Sequence, residues 1–334
     1  MKTLLIVVLG LFLFVGCTNN DDDPLGNWVE KSSFEGLPRG SAVSFVIGDK
    51  AYVGLGYNDD ADEEYLRDFW MYNVSTDSWT QVADFPGVGR TAAVAFTVNG
   101  KGYVGTGYDG DNSLKLKDLW EYDPTANTWT QKDDFLGAAR YKAVAFSLGN
   151  YGYIGTGYID GSVDINDFYR FDPSAASGSQ WLKVQSITGK KRHGATAFTY
   201  NGKAYVCTGI SSGVSLTDMY EYDPATNLWT EKIDLDDDDD WSIVRQNASS
   251  FVLDGKAYVF LGESSSSSTL SDVWEYDFAA DTWVEKTGFE GAARTDAVSF
   301  SVGGKAILAT GQSGSYYLYD VWEFKAYEEY DEYD

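Results

Sequence analysis

Arginine is scarce in this 334-residue chain, and its placement constrains the fold more than any other feature. Of eight arginines, six stand at Arg39, Arg90, Arg140, Arg192, Arg245 and Arg294, at intervals of 51, 50, 52, 53 and 49 residues. The stretch around the third, "FLGAARYKAVAF" (135–146), returns around the sixth as "FEGAARTDAVSF" (289–300). A period near 50 with a charged residue in one fixed slot means a single supersecondary unit used six times.

The content of the unit follows from its patterning. After each arginine comes an alternating run such as "AAVAFTV" (92–98), which has the period of a half-buried strand. "NGK" (99–101, 201–203) or "DGK" (254–256) then marks a tight hairpin turn. A second strand follows, as in "GYVGTGY" or "AYVFLGE". A variable loop ends at Asp68, Asp118, Asp167, Asp218, Asp272 or Asp320, and each Asp opens a third strand such as "DLWEYDP" (118–124). A turn leads to a fourth strand carrying Trp79, Trp129, Trp181, Trp229 or Trp283. Eleven Trp, 24 Tyr and 18 Phe with 35 Gly suit short strands and tight turns. Four strands per period predict an all-β fold, a six-bladed β-propeller of four-stranded antiparallel blades.

The sixth repeat has a third strand, "DVWEF" (320–324), but no fourth-strand Trp. The missing piece lies at the other end: "GNWVEKSSFEG" (26–36) matches "DTWVEKTGFEG" (281–291). Trp28 therefore supplies the sixth fourth strand, and the amino-terminal strand closes the last blade. Closure removes the open edges that would otherwise aggregate.

The recurrent Arg, the "YV-x-x-G" strand, the "W-E-Y-D-P" strand and the following Trp resemble kelch repeats over residues 25–325. Where kelch repeats usually carry two adjacent glycines, this chain has G-x-G or only the last Gly (Gly209, Gly262, Gly311). The resemblance implies a ring that binds proteins or glycans. Galactose oxidase has a related propeller, but its copper site needs two histidines, and His193 is the only one here. A bacterial six-bladed propeller of this kind is a sialic acid mutarotase, whose catalytic residues have no assignable positions in this sequence.

Residues 1–16 read as a signal peptide, with Lys2 before a short apolar run. The end, "FVGC", resembles a bacterial lipoprotein box, which implies lipid on Cys17, with an ordinary signal peptide or an uncleaved anchor as the alternatives. Residues 17–24 form the lipidated, acidic tether, and 326–334 form an acidic tail expected to fray. The acidic run also resembles the export signal of surface lipoproteins. The expected location is the outer membrane, periplasmic or surface-exposed, with membrane contact only through the lipid.

The formal net charge of −26, with no basic stripe, argues against nucleic acid and anionic lipid as partners. One histidine makes a Ser-His-Asp triad and a His-rich metal centre poor readings. Cys207 replaces a strand glycine and reads as a small buried residue. The acidic loops at 57–65, 108–112 and 234–241 read as solvated surface or as calcium loops, and none has EF-hand spacing. No cofactor is expected, and the chain is expected to be a monomer.

Arg and Asp open the first and third strands at the same end of each blade, so they are expected to pair as an internal bridge. Six equal copies favour architecture over a ring of anion-binding arginines. Function is instead expected where exposed positions differ between blades. On that face the residue after each slot Arg is Gly40, Thr91, Tyr141, His193, Gln246 or Thr295, and the residue after each second-strand Gly is Tyr57, Tyr108, Tyr158, Ile210, Glu263 or Gln312. The candidate ligand-binding residues are Tyr57, Tyr108, Tyr158, Tyr141, His193 and Glu263, bordering a mouth for a protein or glycan. Three readings of function stay open: a non-enzymatic binding or scaffold module, a sugar-active enzyme resembling the mutarotase, and a structural adhesin component.

Overall fold

A computed structural model describes residues 24–237, 241–331 and 333; the signal segment, Cys17 and most of the tether lie outside it. Among the described residues there is no helix. Six four-stranded antiparallel sheets form instead, five of them from one repeat each and the last from the sixth repeat and the amino-terminal strand. Blade two shows the plan: Val94–Val98, Lys101–Gly105, Leu119–Asp123 and Thr128–Gln131, each pairing with the next.

The first strands line the axis. Each lies beside the first strands of the two neighbouring blades, and that of blade six (Val298–Val302) returns to that of blade one (Val43–Ile47). Hydroxyls stitch these strands together: Thr97 donates to Val46 O at 2.8 Å and Ser301 to Val252 O at 2.6 Å. Alternation along each first strand sends one face to the channel and the other into the aromatic layer between blades, where Phe45, Tyr52, Phe69 and Tyr122 pack.

The last blade is closed by the amino-terminal strand Asn27–Glu30, which pairs with Val321–Lys325 in the register Trp28↔Phe324. Trp28 is fully buried against Phe324, Phe289 and Phe260, at 4.7, 4.9 and 5.5 Å between ring centroids. The acidic tail is docked where it was expected to fray. Ala326 is buried, Gly26 N–H donates to Glu328 O at 2.9 Å and Asp331 N–H to Asn27 Oδ1 at 3.1 Å. The carboxylates of Glu328, Glu329 and Asp331 stay exposed while the Glu328 carbonyl satisfies the chain just ahead of the closing strand.

Candidate functional site at the arginine end of the ring

The six arginines are each fully buried and bonded in one pattern. In blade three, Arg140 Nε donates to Ala138 O at 3.0 Å and Nη1 to Thr156 O at 2.9 Å. Its two Nη groups reach Asp167 at 2.7 and 3.3 Å. The pairs Arg39–Asp68, Arg90–Asp118, Arg192–Asp218, Arg245–Asp272 and Arg294–Asp320 close at 2.5 to 2.7 Å. In four blades a Trp indole N–H also donates to the Asp, as Trp120 does to Asp118 at 2.8 Å. A Phe ring lies under four of the guanidiniums at 4.6 to 5.0 Å, so the charge is held between a carboxylate and a π face. Every guanidinium is thus occupied within its own blade.

The G-x-G departure has a conformational explanation. In blade two both Thr106 (φ 58) and Gly107 (φ 103) are left-handed, so the first of the paired-glycine sites carries a β-branched residue at a cost in backbone strain. A Cβ on Gly107 would lie 3.0 Å from the Ala93 Cβ and 3.1 Å from Thr91 O, which leaves no room for a side chain at the second.

Two residues beyond each arginine the chain turns left-handed again, at Ser41, Ala92, Lys142, Gly194, Asn247 and Asp296 (φ 50 to 61). These six form a closed backbone circle: Ala92 N–H donates to Ser41 O, Lys142 to Ala92, Gly194 to Lys142, Asn247 to Gly194, Asp296 to Asn247 and Ser41 to Asp296, at 2.8 to 3.3 Å. The next residue is alanine in all six blades: Ala42, Ala93, Ala143, Ala195, Ala248 and Ala297. Circle and alanines line a mouth of about 130 Å³, opening above a small-residue axial channel of about 260 Å³.

The six candidate residues lie one step outward from this circle. The residue after each arginine and the residue after each second-strand glycine meet as β-bridges: Gly40↔Tyr57, Thr91↔Tyr108, Tyr141↔Tyr158, His193↔Ile210, Gln246↔Glu263 and Thr295↔Gln312. Four of the six candidates touch. Tyr108 lies 5.4 Å from Tyr141, Tyr141 lies 5.7 Å from Tyr158, and Tyr158 lies 4.9 Å from His193, which makes an unbroken aromatic arc across blades two to four. Lys115 Nζ sits 5.7 Å from the Tyr141 centroid and pairs with exposed Asp160 at 2.9 Å. Burial pushes the Tyr141 phenol up, so it is a hydrogen-bond donor at neutral pH.

Tyr57 stands apart, against Tyr65 (4.9 Å) and Tyr317 (6.1 Å), with its hydroxyl 3.2 Å from Glu64. Burial and Glu64 push its phenol up to about 12. Glu263 is also separate and accepts from Asn247 Nδ2 at 3.0 Å.

Sequence reasoning missed three contributors: Lys115, the axial circle and Asp164. His193 Nδ1 is 2.5 Å from Asp164 Oδ1, and the other oxygen of Asp164 takes Ser212 N–H at 2.7 Å. Asp164 lies in the outer hairpin of blade three and is nearly buried, so a carboxylate crosses the blade seam to hold the imidazole. That pairing places a proton on Nδ1, between the ring and the carboxylate.

Cys207 is buried, and burial pushes its thiol up to about 12. Among the described residues no group of three or more His, Cys, Asp or Glu is arranged to hold a metal ion. The carboxylates of 57–65 and 108–112 line a pocket between blades one and two, and part of the loop at 234–241 lies outside the described residues.

Comparison with known proteins agrees with this architecture. The kelch motif matches residues 38–86 and 191–232. N-acetylneuraminate epimerases of Shigella sonnei (strain Ss046) and Escherichia coli (strain K12) are 34% identical over 79 residues. That stretch is 23% of this chain and 22% of each relative, so the chain spans about a fifth of the length of the curated relatives it matches. A solved structure titled "Structure of YjhT" superimposes with a TM-score of 0.73 at 15% identity, covering 86% of this chain and 95% of that one. The kelch motif is thus matched in two of the six repeats, and all six are built to one plan around a closed six-bladed β-propeller.

Proposed function

We propose that this protein is a glycan-binding propeller, tethered to the outer membrane by lipid on Cys17, whose ligand lies on the aromatic arc at the arginine end. The observation that carries the reading is the contact of Tyr108, Tyr141, Tyr158 and His193 across three blades, with Lys115 above them. Aromatic faces cover the C–H faces of a sugar while the phenols and the cation take its hydroxyl and acidic groups. The buried arginines are committed to their aspartates, so recognition falls to these variable residues.

A glycan array probed with the chain from residue 24 onward tests the reading. Binding is expected, and Tyr141→Ala should weaken it about tenfold, a loss of about 1.4 kcal/mol. A folded Tyr57/Tyr108/Tyr158→Ala variant that binds as tightly as the parent would move the site elsewhere. For the tether, Cys17→Ser should release the protein from membranes. Unchanged association would reassign residues 4–15 as the anchor.

A second reading, a sugar-active enzyme, is favoured by the 34% identical stretch shared with N-acetylneuraminate epimerases. His193 held by Asp164 has the form of a proton-transfer pair. Faster anomer interconversion of N-acetylneuraminate in one-dimensional NMR, lost in His193→Ala, would establish this reading over plain binding.

A further inference from the structure

The axial circle is regular in its backbone and uneven in its chemistry. Of its six side chains only Lys142 and Asp296 are charged, and three steps of the circle separate them in either direction, so they face each other across the axis. Both line the same mouth of about 130 Å³. Among the described residues Lys142 makes no salt bridge. Asp296 accepts only neutral hydroxyls, from Ser41 at 2.8 Å and Thr295 at 3.1 Å. The wall just below is the layer of six alanines, which offers neither charge a partner. This contrasts with the six slot arginines, each closed by its own aspartate.

The unevenness extends outward. Lys115 and the aromatic arc belong to the Lys142 side, in blades two to four. Glu263 and its Asn247 partner belong to blade five, next to Asp296. Unpaired opposite charges on facing walls of a concave mouth select a ligand that carries both signs, because each charge is costly to enclose without a counter-charge and a concave wall concentrates the field.

We propose that the axial mouth binds a zwitterionic sugar unit, its acidic group at Lys142 and its ammonium at Asp296. The proposal rests on the glycan reading above and adds a charge pattern that the aromatic arc alone does not demand. A neutral sugar would leave both side chains unpaired, and a purely anionic one would face Asp296.

Four related sugars separate the possibilities: muramic acid (both charges), N-acetylmuramic acid (acid only), glucosamine (ammonium only) and N-acetylglucosamine (neutral). Calorimetric titration of the chain from residue 24 onward should show muramic acid binding about tenfold more tightly than either singly charged sugar. Lys142→Met should erase its advantage over glucosamine, and Asp296→Asn its advantage over N-acetylmuramic acid. Both variants keep the backbone circle, and circular dichroism checks that they fold.

Muramic acid binding no more tightly than the better singly charged sugar, or an advantage surviving in both variants, overturns the proposal. If all four bind equally, the glycan reading stands and this one falls. If none binds while neutral glycans are captured on the array, the zwitterion proposal alone falls, and an empty array removes both.

Discussion

Tyr122 donates its hydroxyl to Asn127 Oδ1 at 2.8 Å, and the same oxygen takes the backbone N–H of Ala83 from the preceding blade, also at 2.8 Å. One amide oxygen thus ties the third strand of its own blade to the chain leaving the blade before it. Asp77, Asn227 and Asp281 do the same for Tyr72, Tyr222 and Tyr276, each from a left-handed turn (φ 47 to 57). Where the tyrosine is Phe171, Gln180 takes the neighbouring N–H instead; where it is Phe324, Leu25 O does so.

Asn127→Ala should therefore remove two hydrogen bonds and place a Cβ-bearing residue without a local acceptor at φ 52. Urea denaturation should show a loss of about 2 kcal/mol or more. Asn127→Asp should cost much less, since Asp77 and Asp281 already serve in equivalent turns.

Arg140→Ala should be more damaging. It leaves the Asp167 carboxylate, Thr156 O and Ala138 O without their donor and empties the space above Phe135. Breaking a pair with one wholly buried partner costs roughly 3–5 kcal/mol, at the lower end here because Asp167 is partly exposed. A calorimetric melt reads the loss. Unchanged melting would mean that the repeated arginine does not hold the blade.

The same pairs set an acid limit. Burial pushes Asp68, Asp118 and Asp320 up, but hydrogen bonds and charge from Arg39, Arg90 and Arg294, with an indole N–H each, outweigh it and hold them below the ordinary 3.8. A carboxylate depressed in the folded state contributes its full stability above its unfolded value. That contribution disappears as pH falls through the folded one. Stability from these three groups should be flat from neutrality to about pH 5 and fall steeply below about pH 4. Asp118→Asn, measured by urea unfolding across that range, should be less stable at neutral pH and show a shallower acid slope.

The ring was legible because one set of constraints recurs six times. Arg140 and Arg294 share their flanking text, and Trp28 could be placed in blade six because residues 26–36 copy 281–291. The bridge partners Tyr141 and Tyr158 were also legible, since both are counted from repeated residues. Lys115 and Asp164 lie in hairpins of differing sequence, so no repeat pointed to them. The axial circle was hidden for another reason. Ser41, Ala92, Lys142, Gly194, Asn247 and Asp296 share a backbone conformation and no side-chain chemistry. The only written trace is the alanine that follows each of them.

Closure gives the last prediction. The strand Asn27–Glu30 is the outer strand of blade six, and residues 32–34 go on to bond into the seam with blade one. Ser32 N–H donates to Asp77, Trp79 Nε1 donates to Ser32 O at 3.3 Å, and Phe34 lies 4.9 Å from the Trp79 ring. Deleting residues 25–36 from the chain that starts at 24 therefore exposes the Val321–Lys325 edge and empties two aromatic layers together. Trp28→Ala empties only one, at a cost of roughly 3–5 kcal/mol, and should leave a monomer with a lower melting temperature. The deletion should instead aggregate through the free edge, seen as loss of the monomer peak in size exclusion. A deleted chain that stays monomeric and melts like the parent would show that five complete blades and three strands hold the ring without its terminal strand.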